Sequence, residues 1–321
     1  MKILEGIKKG IRLADYSTIK IGGRAKYLAE VSNLNQLKQL IKWAKDNHLP
    51  FFILGNGSNT LFDDNGFSGL IIKIKNDKIL TEKKNSLLVG AGYLLNDLVR
   101  KGIEKGFTNY EWLNGIPGTI GGAVFGNAGA FGFQMQDLVL KVKTINPLSL
   151  KEKKYSNKDC KFKYRSSIFK ENREIIWEVE ILKKKGNKKE IKEKSLFYLK
   201  NKIEKKMFSY PSLGSIFKNV LISKTPYKRY FNSKKQEVII KGEKIKAPQG
   251  KVSSGYFIEK CGLKGKRKNG AQIADFHANV IINLKKAKAK DVLYLINLIK
   301  EKVFKKYKIE LQEEIVILKN S

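Results

Sequence analysis

Residues 115–132 read G-I-P-G-T-I-G-G-A-V-F-G-N-A-G-A-F-G, running from Gly115 to Gly132, and seven of the eighteen are glycine. None of them carries a charge. Such a segment can turn tightly at positive φ and bring its backbone close to a ligand with no Cβ in the way. Its successive N–H groups can form a concave nest for an anionic group such as a diphosphate. A flexible linker would be rich in serine and other polar residues, whereas this run is studded with Ile116, Ile120, Val124, Phe125 and Phe131. It therefore reads as buried loop and tight turn against a flat cofactor.

The rest of the composition narrows the class. At 321 residues and 42% hydrophobic content the chain has room for two packed domains. No apolar run is long enough to cross a bilayer, and the start M-K-I-L-E-G-I-K-K-G lacks the apolar core of a signal peptide. The expectation is a cytoplasmic protein with no membrane partner. Cys160 and Cys261 have no metal spacing and read as reduced thiols. His48 and His277 are the only histidines, too few for a zinc site or a Ser-His-Asp triad, so no metal is expected. The net charge of +35 raises nucleic-acid binding. Arginine, the better reader of phosphates and bases, stands only at 12, 24, 100, 165, 173, 229 and 267, and the lysines are spread along the whole chain. The charge is read as a lysine-coated surface that steers an anionic substrate, with no nucleic-acid partner.

Along the chain, 17–31 reads as strand, Gly-Gly turn and strand. A helix over 34–47 starts at Asn33 and is stopped by Pro50, with His48 on the surface. The strand 51–54 leads into Gly55-Asn56-Gly57-Ser58-Asn59-Thr60. This resembles a dinucleotide fingerprint, but the third glycine and the following helix are missing, which excludes a Rossmann site. A strand–loop–strand with Gly, Ser and Asn donors can still hold a diphosphate. Strands are expected at 69–74, 87–90, 138–145, 153–156 and 175–182, and a helix over 94–105. The charged segment 186–206 is expected to mark the main domain boundary. The second half has a lysine-rich stretch at 220–251, a short helix near 256–261 and strands at 237–240 and 280–283. An amphipathic helix spans 290–307, with Val292, Leu295, Ile296, Ile299 and Val303 on one face, and a closing strand spans 309–318. The ordering indicates an α+β protein with no internal repeat.

Seven motifs, in order, resemble the UDP-N-acetylenolpyruvoylglucosamine reductase family. They are I-G-G-R-A at 21–25, G-N-G-S-N-T at 55–60, the glycine-rich segment, Y-R-S-S-I-F at 164–169 and S-L-G-S-I-F-K-N at 212–219. G-L-K-G with G-A-Q-I and H-A-N-V, then L-Q-E-E-I-V-I-L at 311–318, complete the set. The resemblance implies an FAD-binding domain of the vanillyl-alcohol-oxidase type over 1–190, in two α+β parts of about 1–75 and 76–190. A charged linker or helix over 191–206 and a smaller substrate-binding domain over 207–321 follow. It implies FAD held by Gly55, Asn56, Gly57, Ser58, Asn59 and Thr60, and by Gly115, Ile116, Pro117, Gly118, Gly121, Gly122, Ala123, Asn127 and Gly129. NADPH as reductant, a nucleotide-sugar substrate contacted by Lys218 and Asn219, a peptidoglycan-synthesis role and a monomeric state are also implied.

By the same resemblance Arg165, Ser215 and Glu314 are catalytic. Reduction of a vinyl carbon conjugated to a carboxylate leaves negative charge on the α-carbon and carboxylate. Such a site needs a fixed cation, hydrogen-bond donors and one proton donor. Arg165 matches the cation, Ser215 the proton donor and Glu314 the acidic residue. Strand alternation sends one of Glu313 and Glu314 inward and does not choose between them. His277 is expected to be structural or to lie near the uridine. The sequence departs from the family at Leu213, at Val220 and in the insertion 220–251, which would either cover the substrate or project into solvent. A tyrosine-bearing insertion between Arg165 and Ser215 is missing, which indicates the shorter subtype. A flavin oxidase or dehydrogenase acting on another substrate is the alternative.

Overall fold

The computed structural model describes residues 3–320. One sheet has the strand order Ile7–Arg12, Arg24–Val31, Phe67–Ile74, Phe51–Leu54. Its first pairing is antiparallel and the other two are parallel. Alternation along the strands sets the packing. Tyr27, Ala29, Val31, Leu70, Ile72 and Ile74 join the main core, while Leu28 and Ile71 pack on the other face with Leu13, Leu54 and Phe62. The helix Leu34–Asp46 adds Leu37, Leu40, Ile41 and Ala44 to the main core. The Asn33 side chain caps it by accepting from the Gln36 amide. It ends four residues before Pro50, and His48 is exposed at φ +52°.

The stretch before Arg24, expected to begin as a strand, is irregular; the strand lies earlier, at Ile7–Arg12. The polar groups of this stretch serve the loop 55–60 instead. Ser17 Oγ lies 3.4 Å from the Gly57 carbonyl and 3.3 Å from that of Thr60, and the Thr18 amide donates to the Gly57 carbonyl at 3.2 Å.

A five-stranded antiparallel sheet follows, ordered Glu152–Ser156, Val139–Ile145, Ile175–Leu182, Ser86–Gly90, Ile79–Glu82, and it shares the main core. The glycine-rich segment is not loop throughout. Residues Ile120–Gly126 form a helix, begun by the Thr119 side chain accepting from the Gly122 amide and ended by Asn127 at φ +43°. A Cβ on Gly121 would lie 2.8 Å from Ala91 Cβ, so the close approach of this helix to the sheet requires glycine.

The segment expected as a charged linker or helix is the helix Lys188–Glu204, which packs on the first unit. Ile191 and Ser195 are buried, Asn114 Nδ2 donates to Ser195 Oγ at 2.8 Å, and the Lys202 ammonium donates to the Asn114 carbonyl. Burial lowers the Lys202 pKa to about 8.

The second unit is an antiparallel sheet of Ser212–Ser215, Val280–Asn283, Ala271–Ile273 and Arg267–Lys268. The helix Ala289–Tyr307 buries Val292, Leu295, Ile296, Ile299 and Val303 in its core. The insertion 220–251 is folded onto this unit. Val220–Leu221 pairs with Lys251–Val252 at its base, three short antiparallel strands build its body, and Val238 and Ile240 join the core of this unit.

The closing strand is shorter than expected, only Val316–Leu318, and pairs in parallel with Thr60–Phe62 of the first unit. Other bonds stitch the units together. Asp64 accepts from the Ala289 and Lys290 amides at 2.7 and 3.0 Å, and so caps a helix of the other unit. Thr18 Oγ1 donates to the Ser212 carbonyl at 2.7 Å and Asn283 Nδ2 to that of Ile19 at 2.9 Å.

Candidate active site

The loop 55–60 faces 117–122. Asn56 Nδ2 donates to the Pro117 carbonyl at 2.8 Å. A Cβ on Gly55 would sit 2.7 Å from Thr119 Oγ1, and one on Gly118 would sit 3.9 Å from Ser58 Oγ. Gly57 has φ +62°, and a Cβ there would lie 1.9 Å from the Tyr16 carbonyl oxygen. The main-chain N–H groups of Asn56, Gly57, Ser58 and Asn59 donate to no other described residue, nor do those of Gly118 and Thr119. Of these, Gly57 and Thr119 are buried, and buried main-chain donors call for a partner. Two facing runs of amides, brought close by Gly55, Gly57 and Gly118, suit the diphosphate of a dinucleotide cofactor, so the residues present fit FAD.

Beside this cradle lies the Arg165 turn. Arg165 Nη2 donates to the Gly129 carbonyl at 2.8 Å. A Cβ on Gly129 would meet the Phe133 carbonyl oxygen at 2.6 Å and Arg165 Nη1 at 3.1 Å, so glycine lets the guanidinium lie against this hairpin. Arg165 Nε is 2.7 Å from Glu314 Oε1. The two are ion-paired by distance, yet the buried Nε–H has no aligned hydrogen-bond acceptor. Burial raises the Glu314 pKa, and the Arg165 guanidinium, followed by Lys170 and Lys218, partly offsets it.

Glu314 reaches this point because its main chain is threaded between the units. Its amide donates to the Ile216 carbonyl at 2.7 Å, and its own carbonyl accepts from Asn59 Nδ2 at 3.1 Å. Glu313 points elsewhere, to Lys300 Nζ at 3.0 Å. The backbone bond at Ile216 brings the adjacent Ser215 to the same place. Ser215 ends the strand Ser212–Ser215 after Gly214, whose φ of +70° accompanies a register shift against Val280–Asn283. The Lys218 amide donates to the Gln312 carbonyl at 2.9 Å, and the Asn219 amide donates to Tyr164 Oη at 3.0 Å.

The expected residues thus divide. Arg165 and Glu314 meet side chain to side chain, with Ser215 at the end of the adjoining strand and Lys218 and Asn219 in the irregular segment that follows it. The 55–60 loop, Pro117, Gly118 and the exposed Gly122 border the cradle. Others have structural surroundings. Gly115, at φ +75°, faces Phe208, Leu199 and Lys202; Gly121 lies against Ala91; Ala123 is buried in the core. Asn127 is fully buried, and its side chain donates to the Lys163 carbonyl at 3.0 Å and accepts from the Gln136 amide at 3.0 Å. Asn59 turns its side chain to Glu314.

Two neighbours escaped the sequence reading. Lys170 Nζ donates to the Arg165 carbonyl at 2.9 Å, and Lys251 Nζ lies 4.5 Å from the Tyr164 ring centroid. A lysine directly after the apolar pair Ile168-Phe169 was the available signal for Lys170. His277 is not among these contacts; its Nδ1 accepts from the Asn279 amide at 3.2 Å, and burial lowers its pKa.

Residues 205–318 match the C-terminal domain of UDP-N-acetylenolpyruvoylglucosamine reductase, and residues 25–148 match an FAD binding domain. The chain is 35% identical over 307 residues to the UDP-N-acetylenolpyruvoylglucosamine reductase of Carboxydothermus hydrogenoformans, covering 95% of this chain and 92% of that protein. It is 34% identical over 312 residues to the Lactobacillus helveticus protein of the same name, covering 97% and 95%. The crystal structure of UDP-N-acetylenolpyruvylglucosamine reductase from Thermus caldophilus is similar to it with a TM-score of 0.73 and 29% identity, over 96% of this chain and 97% of that one. The chain therefore belongs to the UDP-N-acetylenolpyruvoylglucosamine reductase family, with an FAD-binding domain of the vanillyl-alcohol-oxidase type joined to a smaller C-terminal domain.

Proposed function

We propose that this reductase acts on the enolpyruvyl ether of UDP-N-acetylglucosamine, with NADPH as electron source, and yields UDP-N-acetylmuramate for peptidoglycan synthesis. Residues 1–190 serve the cofactor, residues 207–321 serve the nucleotide sugar, and 191–206 connect them. Bound in the cradle, FAD supplies the hydride that the reaction consumes.

The remaining chemistry falls to the chain. Hydride arrival at the terminal vinyl carbon leaves negative charge on the α-carbon and carboxylate. The Arg165 guanidinium takes up that charge, and it is fixed beside the cradle by the Glu314 carboxyl, 2.7 Å from its Nε, and by the Gly129 carbonyl that accepts from its Nη2. The meeting of Arg165 with Glu314 beside the open-amide cradle is the observation that carries the reading. Two carboxylates share one guanidinium comfortably only if one keeps its proton. Burial biases Glu314 toward its protonated form, against the pull of the Arg165 guanidinium, and in that form it would donate a hydrogen bond to the growing charge. Ser215 gives its proton to the α-carbon, and Lys218, three residues further on, is the cation assigned to polarise it. Lys218 and Asn219 take the diphosphate.

The test is the visible spectrum under anaerobic conditions. The purified protein is yellow, NADPH bleaches it, and the enolpyruvyl nucleotide sugar restores the colour. Ser215→Ala leaves bleaching intact and slows restoration by about 10²- to 10⁴-fold. A colourless protein overturns the proposal. So does a reduced protein that oxygen re-oxidises quickly and the nucleotide sugar does not, which is the behaviour of an oxidase on the same scaffold.

A further inference from the structure

Arg165 sits at the tip of a two-residue turn. Lys163 and Ser166 exchange both main-chain hydrogen bonds at 3.0 Å, leaving Tyr164 and Arg165 between them. Arg165 has φ +53°, a left-handed conformation in the turn position where glycine or asparagine is usual. Such a conformation persists only where the surroundings enforce it. The turn is held at several points. Asn127 Nδ2 donates to the Lys163 carbonyl at 3.0 Å, and Tyr164 Oη accepts from the Asn219 amide at 3.0 Å. Ser167 Oγ donates to the Phe125 carbonyl at 2.8 Å. At the strained residue itself, the Arg165 carbonyl accepts from Lys170 Nζ at 2.9 Å.

Lys170 is half-buried next to the fully buried Phe169, with its ammonium 5.7 Å from the Phe125 ring centroid. The charged groups facing Glu314 are Arg165, Lys170 and Lys218, while Lys170 faces Lys218, Glu314 and Arg165. Tyr164 also faces Arg165 and Glu314, and Lys251 faces Arg165. The ammonium is held there by the Arg165 carbonyl, the Phe125 ring and the attraction of Glu314, against the repulsion of Lys218 and Arg165.

We propose that Lys170 is a positioning residue: its ammonium clamps the Arg165 carbonyl, holds the turn in its left-handed form and so presents the guanidinium to Glu314, while its charge adds to the field at that carboxylate. The catalytic meaning of this clamp rests on the function proposed above; the clamp itself does not. Lys170→Met removes donor and charge, and Lys170→Gln keeps a donor without charge. The Glu314 carboxyl is followed by carbon-13 NMR titration, assigned with Glu314→Gln.

In K170M the Glu314 carboxyl titrates higher by about half a pH unit or more. Re-oxidation by the nucleotide sugar slows on the order of 10- to 100-fold, as a guanidinium misplaced by a fraction of an ångström would cause. Bleaching by NADPH per bound flavin is unchanged. K170Q recovers part of the rate and keeps the titration shift. A Glu314 titration matching the parent in both variants, or re-oxidation within about two-fold of the parent in both, overturns the proposal. If K170M does not fold, K170Q decides by the same titration. If the unsubstituted protein ignores the nucleotide sugar, the function proposed above fails, and the titration still judges the clamp.

Discussion

Gly129→Ala puts the geometry of the Arg165 pocket to a quantitative test. Gly129 pairs with Gln134 in a two-residue hairpin, and its φ is not in the left-handed region, so alanine is tolerated by the backbone itself. The obstacle is space. The new Cβ would lie 2.6 Å from the Phe133 carbonyl oxygen, where ordinary contact begins at 3.4 Å, so one of them must move by about 0.8 Å. Arg165 Nη1, at 3.1 Å, must give by about 0.3 Å. The Phe133 oxygen is backbone and cannot swing aside. Because Arg165 Nη2 hangs on the Gly129 carbonyl at 2.8 Å, the shift passes to the guanidinium. Displacements approaching 1 Å lower rates by on the order of 100-fold, equivalent to about 2.7 kcal/mol of barrier. Overpacking lowers stability by about 1–3 kcal/mol. Anaerobic stopped-flow spectroscopy separates the half-reactions: bleaching by NADPH should stay near the parent rate, and re-oxidation by the nucleotide sugar should fall on the order of 100-fold. Flavin-loaded G129A that is re-oxidised within about two-fold of the parent rate would refute the idea that this hairpin fixes Arg165.

Three further outcomes follow from the same contacts. Gly57→Ala meets both a φ of +62° and a backbone oxygen 1.9 Å from the new Cβ; it should purify without flavin, and a normal FAD-to-protein ratio would show that the loop is not the cradle. Asp64→Ala removes the cap of the helix Ala289–Tyr307 supplied by the other unit. It should lower stability by about 1–2 kcal/mol, read as a Tm drop by calorimetry, with Asp64→Asn losing less; an unchanged Tm would rule out the cap. Glu314 carries a pKa raised above 4.5 by burial. A raised carboxyl contributes stability below the unfolded value, and that contribution is lost as pH rises through the folded value. The Tm of Glu314→Gln relative to the parent should therefore rise between about pH 4 and pH 7, and a constant difference across that window would contradict the raised pKa.

Much of the fold was legible in local pattern. Apolar residues at helical spacing placed the helix Ala289–Tyr307 within one residue, and its five expected core residues are buried. Asn33 marked a helix start correctly. The glycine-rich segment was legible as a place of close backbone approach, but not as a helix, because glycine propensity argues against one. Thr119, the small residues packed on Ala91 and the surrounding core override that propensity. The lysine-rich composition of the insertion left its placement open, and Val238 and Ile240 anchor it.

The choice between Glu313 and Glu314 shows where pattern ends. Leu311 and Ile315 share the parity of Glu313 and are buried, which on alternation alone favours Glu313 as the inward residue. The segment before Val316 is not a regular strand, so alternation does not govern it. Its aim is set by the Ile216 carbonyl and by Asn59, a partner 255 residues away.

Composition, periodicity and motif order alone determined the α+β class, most of the helices, the longer strands and the glycine-rich segment of close backbone approach, because these depend on neighbours within a few residues. Tertiary structure decided which charge meets which: Arg165 with Glu314, Glu313 with Lys300, Lys170 with the Arg165 carbonyl, Asp64 with a helix of the other unit. A charge or open amide takes whichever partner the packed core brings within hydrogen-bonding distance, and that distance is fixed by contacts far apart along the chain.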